Sequence, residues 1–262
     1  MTRRILAILH SDVSTTGRIG QMLAARGFGI DVRRPRYGEA LPEHLDDHAG
    51  VIIFGGPMSV NDPDEYIGRE TDFIGKALET KTPFLGVCLG AQMLAKHLGA
   101  PVGPHPQGEV EIGYYPLRAL AAGETMGPWP PYVYHWHREG FDLPAGAVRL
   151  AAGEIYENQA MVFNDHAYGI QFHPEVTRLT MHRWTTIGRS RFSLPNAQDR
   201  HEHLEGQLLH DAPVKEWLSR FLAIGFRPKW PENVANCKRA LSIKRAVPLI
   251  SMTWRPFTPN PQ

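Results

Sequence analysis

Apolar residues in this chain fall into two patterns. Residues 3–9 (RRILAIL), 50–57 (GVIIFGGP) and 83–87 (PFLGV) are short, nearly continuous apolar runs. Such runs predict strands buried on both faces. Between them the spacing changes. RIGQMLAARG places Ile19, Met22 and Leu23 at helical intervals and stops at Gly27. EYIGRETDFIGKALETKTP does the same with Phe73, Ile74, Ala77 and Leu78. These predict amphipathic helices, with a second strand, GIDVRR, after the first of them. AQMLAKHLG predicts another helix directly after Cys88. Strand alternating with helix means a doubly wound, mostly parallel α/β sheet with helices on both faces.

Beyond residue 105 the pattern shortens and partly alternates. EVEIGYYPLRAL, VRLAAG, QAMVFND and AYGIQF predict a small antiparallel extension of the same sheet. PEVTRLTMHRWTTIGRSRF and VKEWLSRFLAIG predict the last helices. Residues 226–262 differ: seven Lys/Arg stand against a single acid, Glu232, with six prolines. That composition predicts an extended or poorly ordered basic tail after a domain spanning 1–225. A solvated tail and a partner-docking arm both fit it.

At 262 residues, 42% hydrophobic and net charge +1, the chain can bury a large core and has no global pull toward nucleic acid or membrane. Its two cysteines lack CxxC spacing, which fits a reducing compartment. The five-residue apolar run before His10 is too short for a signal-peptide core. A cytoplasmic enzyme is the expectation.

Cys88 sits in Gly86-Val87-Cys88-Leu89-Gly90. This is the G-x-nucleophile-x-G spacing of a strained strand-to-helix turn, where side chains two residues either side of the nucleophile would collide. A small core cysteine flanked by glycines reads the same way locally. A thiolate also needs a base, an acid to orient it and N–H donors for an oxyanion. GIQFHPE offers His173 as base and Glu175 as its orienter, two residues apart and so on one side of an extended segment. GGPMSV offers the N–H of Gly56, which would pair with that of Leu89.

GVCLGAQ, FGGPMSV and GIQFHPE, in this order, resemble the class I (triad) glutamine amidotransferases, especially free-standing proteins similar to the glutaminase domain of GMP synthetase. The resemblance covers about residues 1–225. It implies a flavodoxin-like fold, Cys88 as nucleophile, His173 and Glu175 as its partners, and Gly56 and Leu89 as the oxyanion hole. Gln92 matches a residue that helps hold the glutamine. Trp136 and His137 fall where the family has Trp-His-Gly-Asp, a stretch contacting the amino-acid end of the substrate. Here Arg138 and Glu139 replace the glycine and aspartate.

The expected substrate is glutamine or another γ-glutamyl amide, with no cofactor. Neither GxxxxGK[ST] nor an SGGxDS loop is present, so an ammonia-accepting synthase would be a partner on another chain. A γ-glutamyl peptidase and an inactive regulatory member are the alternatives. His135-x-His137 and His201-Glu202-His203 lack metalloprotease spacing and nearby cysteines, so no metal is expected. The aromatic cluster at 129–136 reads as packing around the pocket. Cys237 has no catalytic role in this reading.

Overall fold

The computed structural model describes residues 3–226. The first half alternates strand and helix: β1 (Arg4–Ile8), α1 (Gly17–Ala25), β2 (Gly29–Arg33), β3 (His48–Ile53), α2 (Glu65–Glu79), β4 (Phe84–Val87) and α3 (Leu89–His97). The strand–helix order predicted from hydropathy is the order observed. Next come β5 (Val102–Pro104), β6 (Glu111–Pro116), β7 (Arg118–Ala119), α4 (Ala121–Glu124), β8 (Tyr132–His137) and β9 (Glu139–Phe141). The last elements are β10 (Val148–Ala152), β11 (Ala160–Phe163), β12 (Ala167–Ile170), α5 (Arg178–Ile187) and α6 (Arg200–Gly225).

Eight strands form the central sheet in the order β2-β1-β3-β4-β12-β11-β10-β7. The first five are parallel and the last three antiparallel. The apolar runs alternate between its two faces. Ile5, Ala7, Ile52, Leu85 and Val87 pack with α1 and α6 through Ile19, Leu23, Trp217, Leu218 and Phe221. Leu6, Ile8, Val51, Ile53 and Phe84 pack with α2 and α3 through Ile67, Ile74, Met93 and Leu94. Each face of the sheet is therefore dry, which is why these runs carry no polar alternation.

Three expectations change in detail. AYGI is not at the antiparallel margin: β12 pairs parallel with β4 in mid-sheet, which brings the segment after it beside Cys88. EIGYYP leaves the main sheet and pairs with β8, because Tyr114 and Tyr134 bury against Val176 and Met181 under α5. The last helix begins at Arg200, far earlier than VKEWL. It starts with a capping box made by Asp199 and Glu202 and runs through Pro213. Phe226, counted with the tail by composition, is its buried C-cap and lies against Gly50. The rest of the basic tail and Cys237 fall outside the described residues. No described helix is long and apolar enough to cross a membrane.

The sheet order reverses between β1 and β3. Such a reversal opens a crevice at the carboxyl ends of the strands. The loops after β1, β3, β4 and β12 all leave the sheet at that end.

Candidate active site

Cys88 is held in the left-handed region at φ 51 between β4 and α3. A non-glycine residue there is strained, and the surroundings over-determine it. Its N–H continues the ladder to the Ile170 carbonyl at 2.8 Å, and its own carbonyl accepts from Ala91 and Gln92 at 3.0 Å each. A Cβ at position 86 would strike the Gly90 carbonyl, and one at position 90 would strike the carbonyl of Ile53. Both flanking glycines are thus required by the backbone of the turn, as the spacing predicts. Leu89 opens α3, so its N–H has no partner within the helix.

His173 follows β12 and lies beside Cys88: both side chains crowd the α-carbon of Gly55. Its Nδ1 donates to Glu175 Oε1 at 2.7 Å, and both side chains are buried. Burial alone would lower His173, but the Glu175 carboxylate and the Cys88 sulfur outweigh it and hold the imidazole up to about 10. The ring is thus cationic at neutral pH beside the sulfur. Trp184 stands edge-on to His173 at 4.9 Å. The N–H of Arg18 donates to the Glu175 carbonyl at 2.9 Å, so the start of α1 fixes that residue.

Gly55 and Gly56 leave the end of β3 against this pair. A Cβ on Gly55 would lie 2.7 Å from His173 Cε1 and 3.4 Å from Cys88 Cβ. The structure thus brings Cys88, Leu89, Gly56, His173 and Glu175 to one place. Gln92 lies one turn into α3, buried, and its amide nitrogen donates to the Glu139 carbonyl at 2.7 Å and to Gln171 Oε1 at 3.2 Å. It braces the 137–139 backbone from behind. Trp136 is half-buried and packs on Trp184, Phe192 and His203. His137 is buried, with Nδ1 on the Glu139 carbonyl at 2.9 Å and Nε2 on Glu111 Oε2 at 2.9 Å.

Sequence reading missed three groups. Glu111 on β6 joins His135 and His137 across the hairpin, and their ligand atoms converge within 4.8 Å. Two imidazoles and a carboxylate are a donor set that divalent transition metals accept. Here the same atoms already serve one another: His135 Nδ1 lies 3.1 Å from His137 Nε2, and Gln159 donates to Glu111 Oε2 at 2.7 Å. Burial keeps His135 neutral, pushed down to about 3, with the neighbouring His137 adding to the effect and Glu111 opposing it. Burial would raise Glu111, but His135, His137 and Gln159 together keep it below the usual carboxylate range. Second, Arg191 lies near both Arg138 and Cys88; burial first, then the Arg138 cation, lowers it, while Cys88 opposes. Third, His10 and Glu70 form a buried pair behind Gly55. Glu111, Arg191 and Glu70 each reach the site from a distant segment, with no local spacing to announce them.

Fold and site define an α/β protein that presents a buried cysteine on a strained strand-to-helix turn at the carboxyl end of its parallel strands, beside a buried histidine–glutamate pair. The class-I glutamine amidotransferase family model matches residues 7–184. The glutamine amidotransferase-like protein YfeJ of Salmonella typhimurium is 32% identical over 185 residues, 66% of this chain and 76% of that protein. A glutamine-hydrolyzing GMP synthase component from Sulfolobus acidocaldarius is 33% identical over 138 residues, 51% of this chain and 71% of its own length. Among solved structures, a glutamine amidotransferase from Thermotoga maritima superposes with TM-score 0.78 at 31% identity, covering 87% of this chain and all of that one. One from Methylobacillus flagellatus gives TM-score 0.80 at 27% identity, with 88% and 98% covered. The chain belongs to the class-I glutamine amidotransferase family.

Proposed function

We propose that the protein is a cysteine-dependent amide hydrolase that cleaves the side-chain amide of glutamine or a close γ-glutamyl amide. One observation carries this reading: Cys88, in its strained turn, lies beside an imidazole whose Nδ1 is held by the Glu175 carboxylate at 2.7 Å. The Cys88 thiolate attacks the amide carbon. The oxygen gains the negative charge and rests against the N–H groups of Gly56 and Leu89. His173 gives its proton to the nitrogen, the C–N bond breaks and ammonia leaves. Water then loses a proton to His173, attacks the γ-glutamyl thioester and breaks the C–S bond, returning the thiolate and releasing glutamate. Glu175 keeps the imidazole oriented and stabilises its charge. Trp136 and the backbone at His137 line the amino-acid end of the substrate, with Gln92 supporting them.

Relatives that are separate components of GMP synthase support an ammonia acceptor on another polypeptide. A second reading has its own observation. Arg191 stands near Cys88 and near Arg138, and Arg138 is exposed where the family has glycine. Two guanidiniums there suit a substrate with a further carboxylate beyond the scissile amide, as in a γ-glutamyl peptide. Ammonia or amine release should be measured for glutamine and a panel of γ-glutamyl amides and peptides, with Cys88→Ala as control. The expected result is release that vanishes in Cys88→Ala. A variant that keeps the wild-type rate would sink the assignment.

A further inference from the structure

His10 lies just past β1, and Glu70 lies on the inward face of α2. Their side chains are both fully buried, 60 residues apart in sequence, and meet with His10 Nε2 2.6 Å from Glu70 Oε2. The other ring nitrogen, Nδ1, lies 3.2 Å from the carbonyl oxygen of Gly55. Both nitrogens therefore face acceptors. An Nδ1–H on the ring donates to the Gly55 carbonyl, and Nε2 anchors the ring on Glu70. A buried ionisable pair of this kind is costly to assemble, and the fold already has its core without it.

Its target explains the pair. The Gly55 carbonyl and the Gly56 N–H belong to one peptide unit. The described chain contains no cis peptide, so these two groups point in opposite directions. Holding the carbonyl toward His10 turns the N–H away from His10, and the Gly55 α-carbon beside it abuts His173 and Cys88. Glycine on both sides of a peptide makes rotation of that unit easy, so an unheld Gly55–Gly56 peptide would be free to present its carbonyl instead. A Cβ on Gly56 would come within 3.0 Å of His10 Cβ, so the ring backs directly onto the peptide it holds.

We propose that His10 and Glu70 are positioning residues that lock the Gly55–Gly56 peptide with its N–H turned into the site, as one of the two donors to the oxyanion. The proposal rests on the amide-hydrolase reading above. Preorganised donors of this kind act on the transition state far more than on the bound substrate.

The test replaces the pair by apolar groups of similar volume, His10→Phe with Glu70→Met, so that no lone charge is left buried. His10→Phe alone and Glu70→Gln accompany it, with circular dichroism to establish folding. Three readouts are taken on the full chain. First, kcat should fall by about 10- to 100-fold while KM changes by no more than about threefold. Second, alkylation of Cys88 by iodoacetamide, which builds no oxyanion, should stay within about twofold of wild type. Third, the Gly55 carbonyl 13C shift should move, since it loses its donor. A folded double variant with wild-type kcat overturns the lock, and so does a parallel loss of kcat and alkylation. An unmoved Gly55 shift overturns it too. If the wild type cleaves nothing on the panel, the hydrolase reading fails instead, and the carbonyl shift still decides whether His10 holds the peptide.

Discussion

Two buried histidine–glutamate clusters lie close together and behave in opposite ways. At His173 the imidazole is pushed up to about 10; at His135 it is pushed down to about 3. Burial disfavours the charged ring in both. The difference is how many anions each ring meets. His173 sits between Glu175 and the Cys88 sulfur. His135 must share one carboxylate, Glu111, with His137, and a second imidazole nearby works against it. Burial alone therefore says little about a histidine's charge; the ratio of anions to rings decides it. The first cluster joins β12 to the Cys88 turn, and the second joins β6 to β8.

Breaking each cluster should separate activity from stability. The largest effect belongs to Cys88→Ala, which should remove at least about 10⁴-fold of kcat in an ammonia-release assay. Glu175→Gln should lower kcat by about 10²- to 10⁴-fold with little change in thermal midpoint, since the ring keeps a hydrogen bond but loses the anion. Glu111→Gln should reverse that pattern. It leaves two buried rings without their anion and should cost about 3 kcal/mol in denaturant unfolding, while activity per folded molecule falls much less.

Their pH responses should also part. The folded His173 value lies above its unfolded 6.5, so its contribution to stability is complete below 6.5 and is lost as pH rises through about 10. His135 is depressed. Below 6.5 the unfolded chain takes up a proton that the fold refuses, so stability is lost as pH falls toward about 3. Urea midpoints from pH 4 to 10 for wild type, His173→Gln and His135→Gln should show each variant flattening its own arm. The smallest effect is expected at Arg138→Gly, which should leave glutamine turnover nearly unchanged and raise KM for amides that carry an extra carboxylate.

What the sequence made legible follows from how local each constraint is. The Cys88 turn could be read because its two glycines answer clashes two residues away. His173 and Glu175 could be read because they stand two residues apart, although a turn closed by the Val176 N–H on the His173 carbonyl, and not the extended segment expected, brings their side chains together. Glu111 with His137, and His10 with Glu70, could not, since each pair is assembled from separate strands and helices. α6 hid its first half because Leu208 and Leu209 are exposed and Pro213 lies inside it, so the usual apolar stripe and stop signals misled. β12 read as a margin strand because its short run carries no mark of its neighbours.

The tight seat of Gly55 has a practical consequence. One added methyl there would press on the His173 ring while leaving the cysteine, the histidine and the glutamate all present. Gly55→Ala should therefore give a protein that still reacts with alkylating reagents yet turns over slowly. A fall in turnover with alkylation unchanged would show that the seat of the imidazole, and not the presence of the three side chains, sets the rate.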